Sequence, residues 1–135
     1  MGVGNRLGYC AYYLVEVKFR NQTQEAPTSF GPIENRSPSS LPSLFNVTAF
    51  VADEQIWELP ITFSFDYNVT VPRVEFIALR LNDVWLNMTG YTVSWDSEKS
   101  EFRGFLLFEL WLYNSSLNVF QYHGRFVSLR FNMTI

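Results

Sequence analysis

The sequence predicts an all-β fold: an antiparallel β-sandwich with an immunoglobulin-like arrangement of about seven strands. The chain of 135 residues contains 13 Phe, 7 Tyr and 4 Trp, and aromatic residues favour strands over helices. Hydrophobic and polar residues alternate with a period of two, and helical periodicity is absent. Turn residues separate the alternating runs. The length fits a single domain over residues 1–135.

Three alternating runs are predicted to form strands in the first half of the chain. In the first run, one face is apolar and the other polar: Tyr13, Val15, Val17 and Phe19 inward; Glu16, Lys18 and Arg20 outward. The second run covers residues 45–51, with Asn46 and Thr48 outward. The third covers residues 57–66; because Pro60 has no N–H to donate, we expect this strand to lie at a sheet edge or its N–H side to face outward there.

Further strands are predicted over residues 73–81, 84–88 with a continuation at 91–95, 105–113 and 127–133. Asn82-Asp83 and the charged segment 96–100 are predicted turns. The run 105–113 is apolar except for Glu109, which is typical of a central strand covered on both faces. The last strand is predicted to turn its apolar residues inward: Val127, Leu129, Phe131 and Met133.

Two segments do not alternate. Residues 1–9 are expected to be a disordered or truncated start, since they resemble neither a strand nor a signal peptide. Residues 22–43 contain four Pro and are expected to form a long loop. No apolar run is long enough to span a membrane. An export or anchoring segment is therefore expected to be missing from this chain.

The charge and cysteine content exclude several classes of function. Charged residues make up 17% of the chain and the net charge is −3, without a basic stripe, so nucleic acid is not an expected partner. The single cysteine, Cys10, cannot form an intrachain disulfide and is expected to be a small buried residue. Few charges on so apolar a chain imply that something else keeps the surface soluble.

N-linked sugars could keep the surface soluble, because the chain contains many acceptor sequences for N-glycosylation. Ten Asn and twenty Ser plus Thr would give about one or two such sequons by chance. Seven are present, at Asn21, Asn35, Asn46, Asn68, Asn87, Asn114 and Asn132. All of them fall on the polar faces, turns, strand ends or loops of the predicted fold, so all can face solvent.

Three segments carry a resemblance to a known family. They are residues 12–23 (YYLVEVKFRNQT), residues 50–60 (FVADEQIWELP), and residues 108–114 (FELWLYN) with the later Arg125-Phe126-Val127. The chain resembles the archaeal domain-of-unknown-function family numbered 1616 over nearly its whole length. The resemblance implies a membrane-anchored envelope protein with an outer β-domain and carries over no catalytic residue. The membrane helices of that family are absent from this chain.

The sequence gives little indication of a catalytic, metal or ligand site. His123 is the only histidine and is expected to be structural, in a turn beside Gly124. Asp53-Glu54 and Asp96-Ser97-Glu98 match no calcium loop, so solvated turns are the better interpretation. A glycosidase-like pair could come from Glu58, Asp66 and Glu109, which any acidic protein offers. Trp85 falls out of phase with Leu86 and is the one aromatic residue predicted to be exposed for binding.

The sequence therefore predicts a non-enzymatic, N-glycosylated extracellular or cell-surface domain with a structural or interaction role. No catalytic residue, cofactor or metal site is predicted. Partners are expected to be proteins or glycans at the cell surface, and contact with a membrane would require the missing anchor. The alternative is a binding module or filament subunit that assembles through an exposed sheet edge.

Overall fold

The structure is a computed structural model that describes residues 1–24, 27, 36–70 and 72–134. In these residues there are ten strands and no helix: β1 (Gly2–Gly4), β2 (Ala11–Arg20), β3 (Phe45–Val51), β4 (Ile56–Glu58), β5 (Phe63–Thr70), β6 (Arg73–Leu81), β7 (Val84–Asn87), β8 (Thr92–Ser94), β9 (Glu101–Asn114) and β10 (Val119–Thr134).

The strands form two four-stranded antiparallel sheets and a short ribbon. Sheet I has the order β10-β9-β2-β3. Sheet II has the order β5-β6-β7, with β8 also paired to β6. The ribbon pairs β1 with β4. The two sheets pack face to face through a shared hydrophobic core, so the predicted all-β sandwich is confirmed. The immunoglobulin-like arrangement stays a prediction.

The strand count exceeds the predicted seven because two predicted strands are divided and because β1 was not predicted. The run 57–66 breaks into β4 and β5, since Pro60 cannot donate to a ladder. The Asn82 side chain holds the break: its Nδ2 donates to the Pro60 carbonyl at 2.9 Å and its Oδ1 accepts from the Thr62 N–H at 2.7 Å. The predicted continuation at 91–95 forms a separate short strand, β8 (Thr92–Ser94), because Gly90 turns the chain with φ of 96°.

The start of the chain is ordered against the ribbon, in contrast to the disorder expected for residues 1–9. Val3 is buried in β1, and the Asn5 side chain is only 1% exposed. Asn5 Nδ2 donates to the carbonyls of Tyr9 and Val51, both at 2.7 Å. The bond to Val51 ties the segment to the end of β3, and the bond to Tyr9 closes the segment on itself. Cys10, expected to be buried, is exposed.

The predicted loop over residues 22–43 lies between the end of β2 and the start of β3. Its described residues form no strand. Residues 25, 26 and 28–35 lie outside the described part of the chain. Among the described residues after this gap, Ser39 lies on the outer face of sheet I.

A buried ion pair crosses that outer face. Lys18 on β2 was expected to be solvated, but it is only 4% exposed, and Glu109 on β9 is fully buried. Lys18 Nζ lies 2.6 Å from Glu109 Oε1. The predicted strand phase of Lys18 is therefore right and its expected exposure is wrong. The same pairing explains how a carboxylate sits within the apolar run of β9.

Ser39 of the loop joins the ion pair through its backbone. Its N–H donates to Glu109 Oε2 at 2.6 Å, and its carbonyl accepts from Lys18 Nζ at 2.7 Å. A buried pair offsets its desolvation only when further hydrogen bonds satisfy its remaining groups. The loop at Ser39 supplies two such bonds and is held onto the sheet by them.

The core between the sheets consists largely of aromatic rings in edge or tilted contact. Phe19 on β2 packs against Phe65, Phe76 and Phe131 with ring centroids 5.1–6.3 Å apart. Gly104 on β9 makes room for this cluster. A Cβ at Gly104 would lie 2.7 Å from Phe131 Cζ and 3.0 Å from Phe19 Cε2. The close ring packing therefore depends on the missing side chain.

The last strand is longer than predicted. β10 begins at Val119 and continues through His123-Gly124 as a bulge, where two residues are inserted between the pairs Tyr122–Trp111 and Arg125–Leu110. Phe131 and Met133 face the core as predicted. Val127 and Leu129 keep the inward phase but are 57% and 37% exposed, because sheet II does not cover this end of sheet I.

Replacing Gly104 with alanine should destabilise the fold by about 1–3 kcal/mol, because the added methyl group forces the Phe19 and Phe131 rings to shift. Urea unfolding followed by tryptophan fluorescence measures the change. Gly2→Ala is the control, since its Cβ would meet ordinary contacts at 3.6–3.7 Å. Equal effects of the two substitutions would contradict the packing argument.

Lys18→Met should destabilise the protein by about 3–5 kcal/mol, because it leaves Glu109 buried and unpaired. The double variant Lys18→Met/Glu109→Leu should regain most of that free energy, since it removes both charges. The double variant should also be cleaved faster by trypsin after Arg36, because Ser39 loses both of its anchoring bonds. A single variant as stable as the parent in urea would refute the role given to the pair.

Candidate functional site

The sequon asparagines are the first candidate site, and the structure describes six of the seven. Asn35 lies outside the described residues. Asn46, Asn68, Asn87 and Asn132 are exposed, and Asn21 and Asn114 are half-buried. None of the six described asparagines is buried, which agrees with the solvent-facing positions predicted for them.

Sheet topology places four of these asparagines on edge strands. Asn46 lies on β3 and Asn132 on β10, the two edges of sheet I. Asn68 lies on β5, and Asn87 on β7, along the two edges of sheet II. An edge strand presents unpaired N–H and C=O groups that can pair with another chain. Sequence periodicity alone could not order the strands, so this pattern was not predictable.

Three sequons adopt the same local turn. The side-chain Oδ1 of each asparagine accepts the backbone N–H two residues ahead: Asn21 from Thr23 at 3.0 Å, Asn87 from Thr89 at 2.9 Å and Asn114 from Ser116 at 3.0 Å. At Asn21 the Thr23 hydroxyl also donates to Oδ1, at 2.8 Å. These Asx turns bring the amide and hydroxyl-bearing residue of each sequon together.

The amide nitrogens of these three sequons differ in their partners. Asn21 Nδ2 donates to the Thr92 carbonyl at 3.3 Å and Asn114 Nδ2 to Gln121 Oε1 at 3.2 Å. No hydrogen bond from Asn87 Nδ2 is present among the described residues. Asn87 thus combines an exposed position, an Asx turn and an unengaged amide.

Trp85, the aromatic residue predicted for binding, is 55% exposed on β7. The Arg80 guanidinium lies 4.6 Å from its ring centroid, so one ring face is engaged. The other three tryptophans are half-buried. A second aromatic patch, not predicted, lies on the outer face of sheet I, where Phe50 is 72% exposed and stacks on Tyr12 at 4.2 Å.

The candidate carboxylates are not brought together as a pair. Glu58 lies in the ribbon and Asp66 in sheet II, both exposed, whereas Glu109 is engaged by Lys18. Asp53 Oδ1 accepts the Gly8 N–H and so joins the turn after β3 to the segment after β1, whereas Asp96 Oδ1 accepts the Glu98 N–H within its own turn. Among the described residues, no three His, Cys, Asp or Glu side chains lie close enough to hold a metal ion.

A groove of about 750 Å³ lies between the ribbon and the uncovered end of sheet I. Its floor includes apolar side chains of the inner face: Val15, Phe108, Leu110 and Val127. Its walls carry Arg6, Arg36, His123 and Arg125. We call it the arginine groove. Its volume falls in the range of small-molecule sites, about 300–1,000 Å³.

The bulge in β10 builds one wall of the arginine groove. His123 and Arg125 both lie on the inner side of sheet I at the bulge, with His123 in edge contact with the buried Tyr13 ring at 6.0 Å. Gly124 has φ of 75°, which few other residues adopt. Arg36 Nη1 donates to the Gly124 carbonyl at 3.1 Å and so reinforces the bulge.

Burial is the main cause of the pKa shifts of two groups that line the groove, His123 and Tyr13. Burial lowers the pKa of His123, and the positive charge of Arg125 lowers it further. Burial raises the pKa of Tyr13. The imidazole is thus held neutral more strongly than in the unfolded chain. The sequence predicts that His123 lies in an exposed turn, whereas it is half-buried in a bulge. A His-Gly pair inside an alternating run is the sequence signal that could have indicated the bulge.

No family model matches the chain, and no similar protein was found among curated proteins or solved structures. The resemblance to the archaeal family stays a prediction. No helix in the described residues has the length and apolar character needed to cross a membrane.

The stability of the fold should fall as the pH drops through the region below about 6.5, because the unfolded state takes up a proton at His123 more readily than the folded state. The groups facing His123 are Tyr13 and Arg125, with Arg6 and Arg36 on the same groove. His123→Gln should remove this component. The test compares urea unfolding of parent and variant at pH 7.5 and 5.0; a difference between them that does not change with pH would contradict the burial of the imidazole.

Proposed function

We propose that this chain is the N-glycosylated outer domain of an extracellular cell-surface protein, with a non-enzymatic structural or interaction role. The observation that supports it best is the placement of the sequons. Six are described, none is buried, and four lie on the edge strands of the two sheets. Carbohydrate at these positions supplies the polar surface that the low charge content leaves out.

The edge positions give the proposed sugars a structural consequence. A glycan is bulky and hydrated, and an edge strand that carries one is a poor acceptor for a strand from another molecule. Glycans on β3, β5, β7 and β10 would therefore keep a sandwich with exposed edges monomeric. Other proteins prevent edge-to-edge association with charged residues on their edge strands. Only 17% of the residues in this chain are charged.

The arrangement of carboxylates favours a non-enzymatic role. General acid–base work on a glycosidic bond needs two carboxyl groups facing each other across a cleft. Here the only fully buried carboxylate, among the described residues, is neutralised by Lys18 and bonded to Ser39. It holds the loop and is not open to a substrate.

The origin and anchoring of the domain rest on the resemblance alone. It suggests an archaeal envelope protein tethered by a membrane segment outside these 135 residues. An extracellular domain without disulfides is consistent with that origin, since the chain has only one cysteine.

A second candidate function is a binding module or filament subunit that assembles through a sheet edge, as in β-augmentation. One observation favours it. β10 is an edge strand of 16 residues, and its sequon asparagine, Asn132, lies near its C-terminal end. Most of this edge would remain bare even with every sequon occupied.

Protein from a host that carries out N-glycosylation should gain several glycans, and Asn87 should be occupied more completely than Asn21. The reason is that Asn87 is exposed with an unengaged amide nitrogen, whereas Asn21 is half-buried and donates to Thr92. Intact mass and glycopeptide mass spectrometry measure the occupancy.

Thr89→Ala is the matched control, since it removes the Asn87 sequon and should subtract one glycan while leaving the other sites unchanged. Unmodified asparagine at all seven sequons in protein from its native host would overturn the proposed location. A normal glycan pattern together with strand-like filaments would favour the second candidate function.

A further inference from the structure

The arginine groove concentrates positive charge in an acidic protein. The chain has 13 acidic and 10 basic residues, yet the described residues that line the groove include three Arg and one His and no Asp or Glu. Among the described residues, no carboxylate lies within 4.0 Å of Arg6 or Arg125. Both arginines are exposed.

Among the described residues, Arg6 and Arg125 lack a carboxylate partner and line the same groove as the half-buried His123, an arrangement that suits an anion. The guanidinium group offers paired donors that match a carboxylate or phosphate. One wall is also fixed in place: the bulge that carries Arg125 is held by Gly124 and by the hydrogen bond from Arg36. The backbone position of Arg125 is therefore fixed by the bulge, while its exposed side chain remains open to a ligand.

The floor of the groove indicates what the anion is attached to. Val127 has the inward phase of a core residue but is 57% exposed, and the neighbouring Leu110 is half-buried. These side chains are aliphatic, which suits an alkyl chain; sugars stack instead on exposed aromatic faces. Covering Val127 and Leu110 would remove apolar surface from water, which is favourable.

We propose that the arginine groove binds a free single-chain amphipathic anion, whose carboxylate or phosphate head meets Arg6 and Arg125 and whose alkyl chain lies over Leu110 and Val127. Charge complementarity selects the head group, and the uncovered end of sheet I receives the chain. The ligand class is an alkyl carboxylate or alkyl phosphate taken up from solution one molecule at a time.

Calorimetric titration of the full chain with decanoate and decyl phosphate, below their micellar concentrations, tests the proposal. Both should bind, whereas decanol and decyltrimethylammonium, which share the chain but lack the negative charge, should not. Butyrate should bind much more weakly than decanoate, because each methylene buried on the floor adds to the affinity. None of the described residues that line the groove is a sequon asparagine, and titration of unglycosylated protein tests the groove separately from the proposed glycosylation.

Arg125→Gln should weaken decanoate binding at least about tenfold, as expected for loss of a hydrogen bond to a charged group. Arg130→Gln is the matched control, since Arg130 is an exposed residue of the same strand that pairs with Phe105 and faces the opposite side of sheet I. Arg6→Gln, in the exposed segment after β1, gives a second test should the bulge not tolerate the change at Arg125.

Three outcomes would overturn the proposal. Equal losses in Arg125→Gln and Arg130→Gln would indicate unspecific charge attraction. Equal binding of the decyl cation would indicate a purely apolar surface. Binding to anionic lipid vesicles without binding to monomeric decanoate would assign the groove to a membrane surface instead of a free ligand.

Discussion

The buried pair of Lys18 and Glu109 is the interaction on which the outer half of the molecule depends. It joins the two central strands of sheet I on the face turned away from sheet II, a face that would otherwise be solvated. Both charges are out of water, and the Ser39 backbone supplies the hydrogen bonds that make this tolerable. The pair therefore fixes where the chain crosses sheet I between β2 and β3. A hydrophobic pair could cover the same area but would not specify Ser39.

Strand phase was predictable wherever one face of a sheet is buried and the other wet. The limits of β6 match the predicted run 73–81, and Asn82 and Asp83 adopt the positive φ angles of a tight turn, 46° and 71°. The local sequence determines both features. β-branched and aromatic residues alternate in the strand, and the two residues that follow tolerate a left-handed backbone. The sandwich followed from several such runs.

Features that depend on pairing between distant segments were not predictable. Lys18 reads as a solvated residue because nothing near it in sequence reveals Ser39 or Glu109. Val127 reads as a core residue because its phase is right, and only the shorter reach of sheet II leaves it exposed. The ribbon of β1 and β4 joins segments more than fifty residues apart; β1 lies in the segment expected to be disordered, and β4 overlaps only the start of the predicted run 57–66. The arginine groove is built from features of this kind: the ribbon, the bulge in β10 and the uncovered end of sheet I.

The placement of asparagines on edge strands separates two kinds of stability that are often treated as one. An exposed side chain such as Asn46 or Asn68 contributes little to the free energy of unfolding, with or without a sugar, because it packs against nothing in the core. Its modification would act instead on the encounter between two folded molecules, where bare backbone groups meet. Under the proposed function, the loss of a single edge sequon would leave the free energy of unfolding almost unchanged. It would increase the tendency of the folded molecules to associate in solution. Colloidal behaviour of this domain would then be set by its biosynthetic pathway as well as by its sequence.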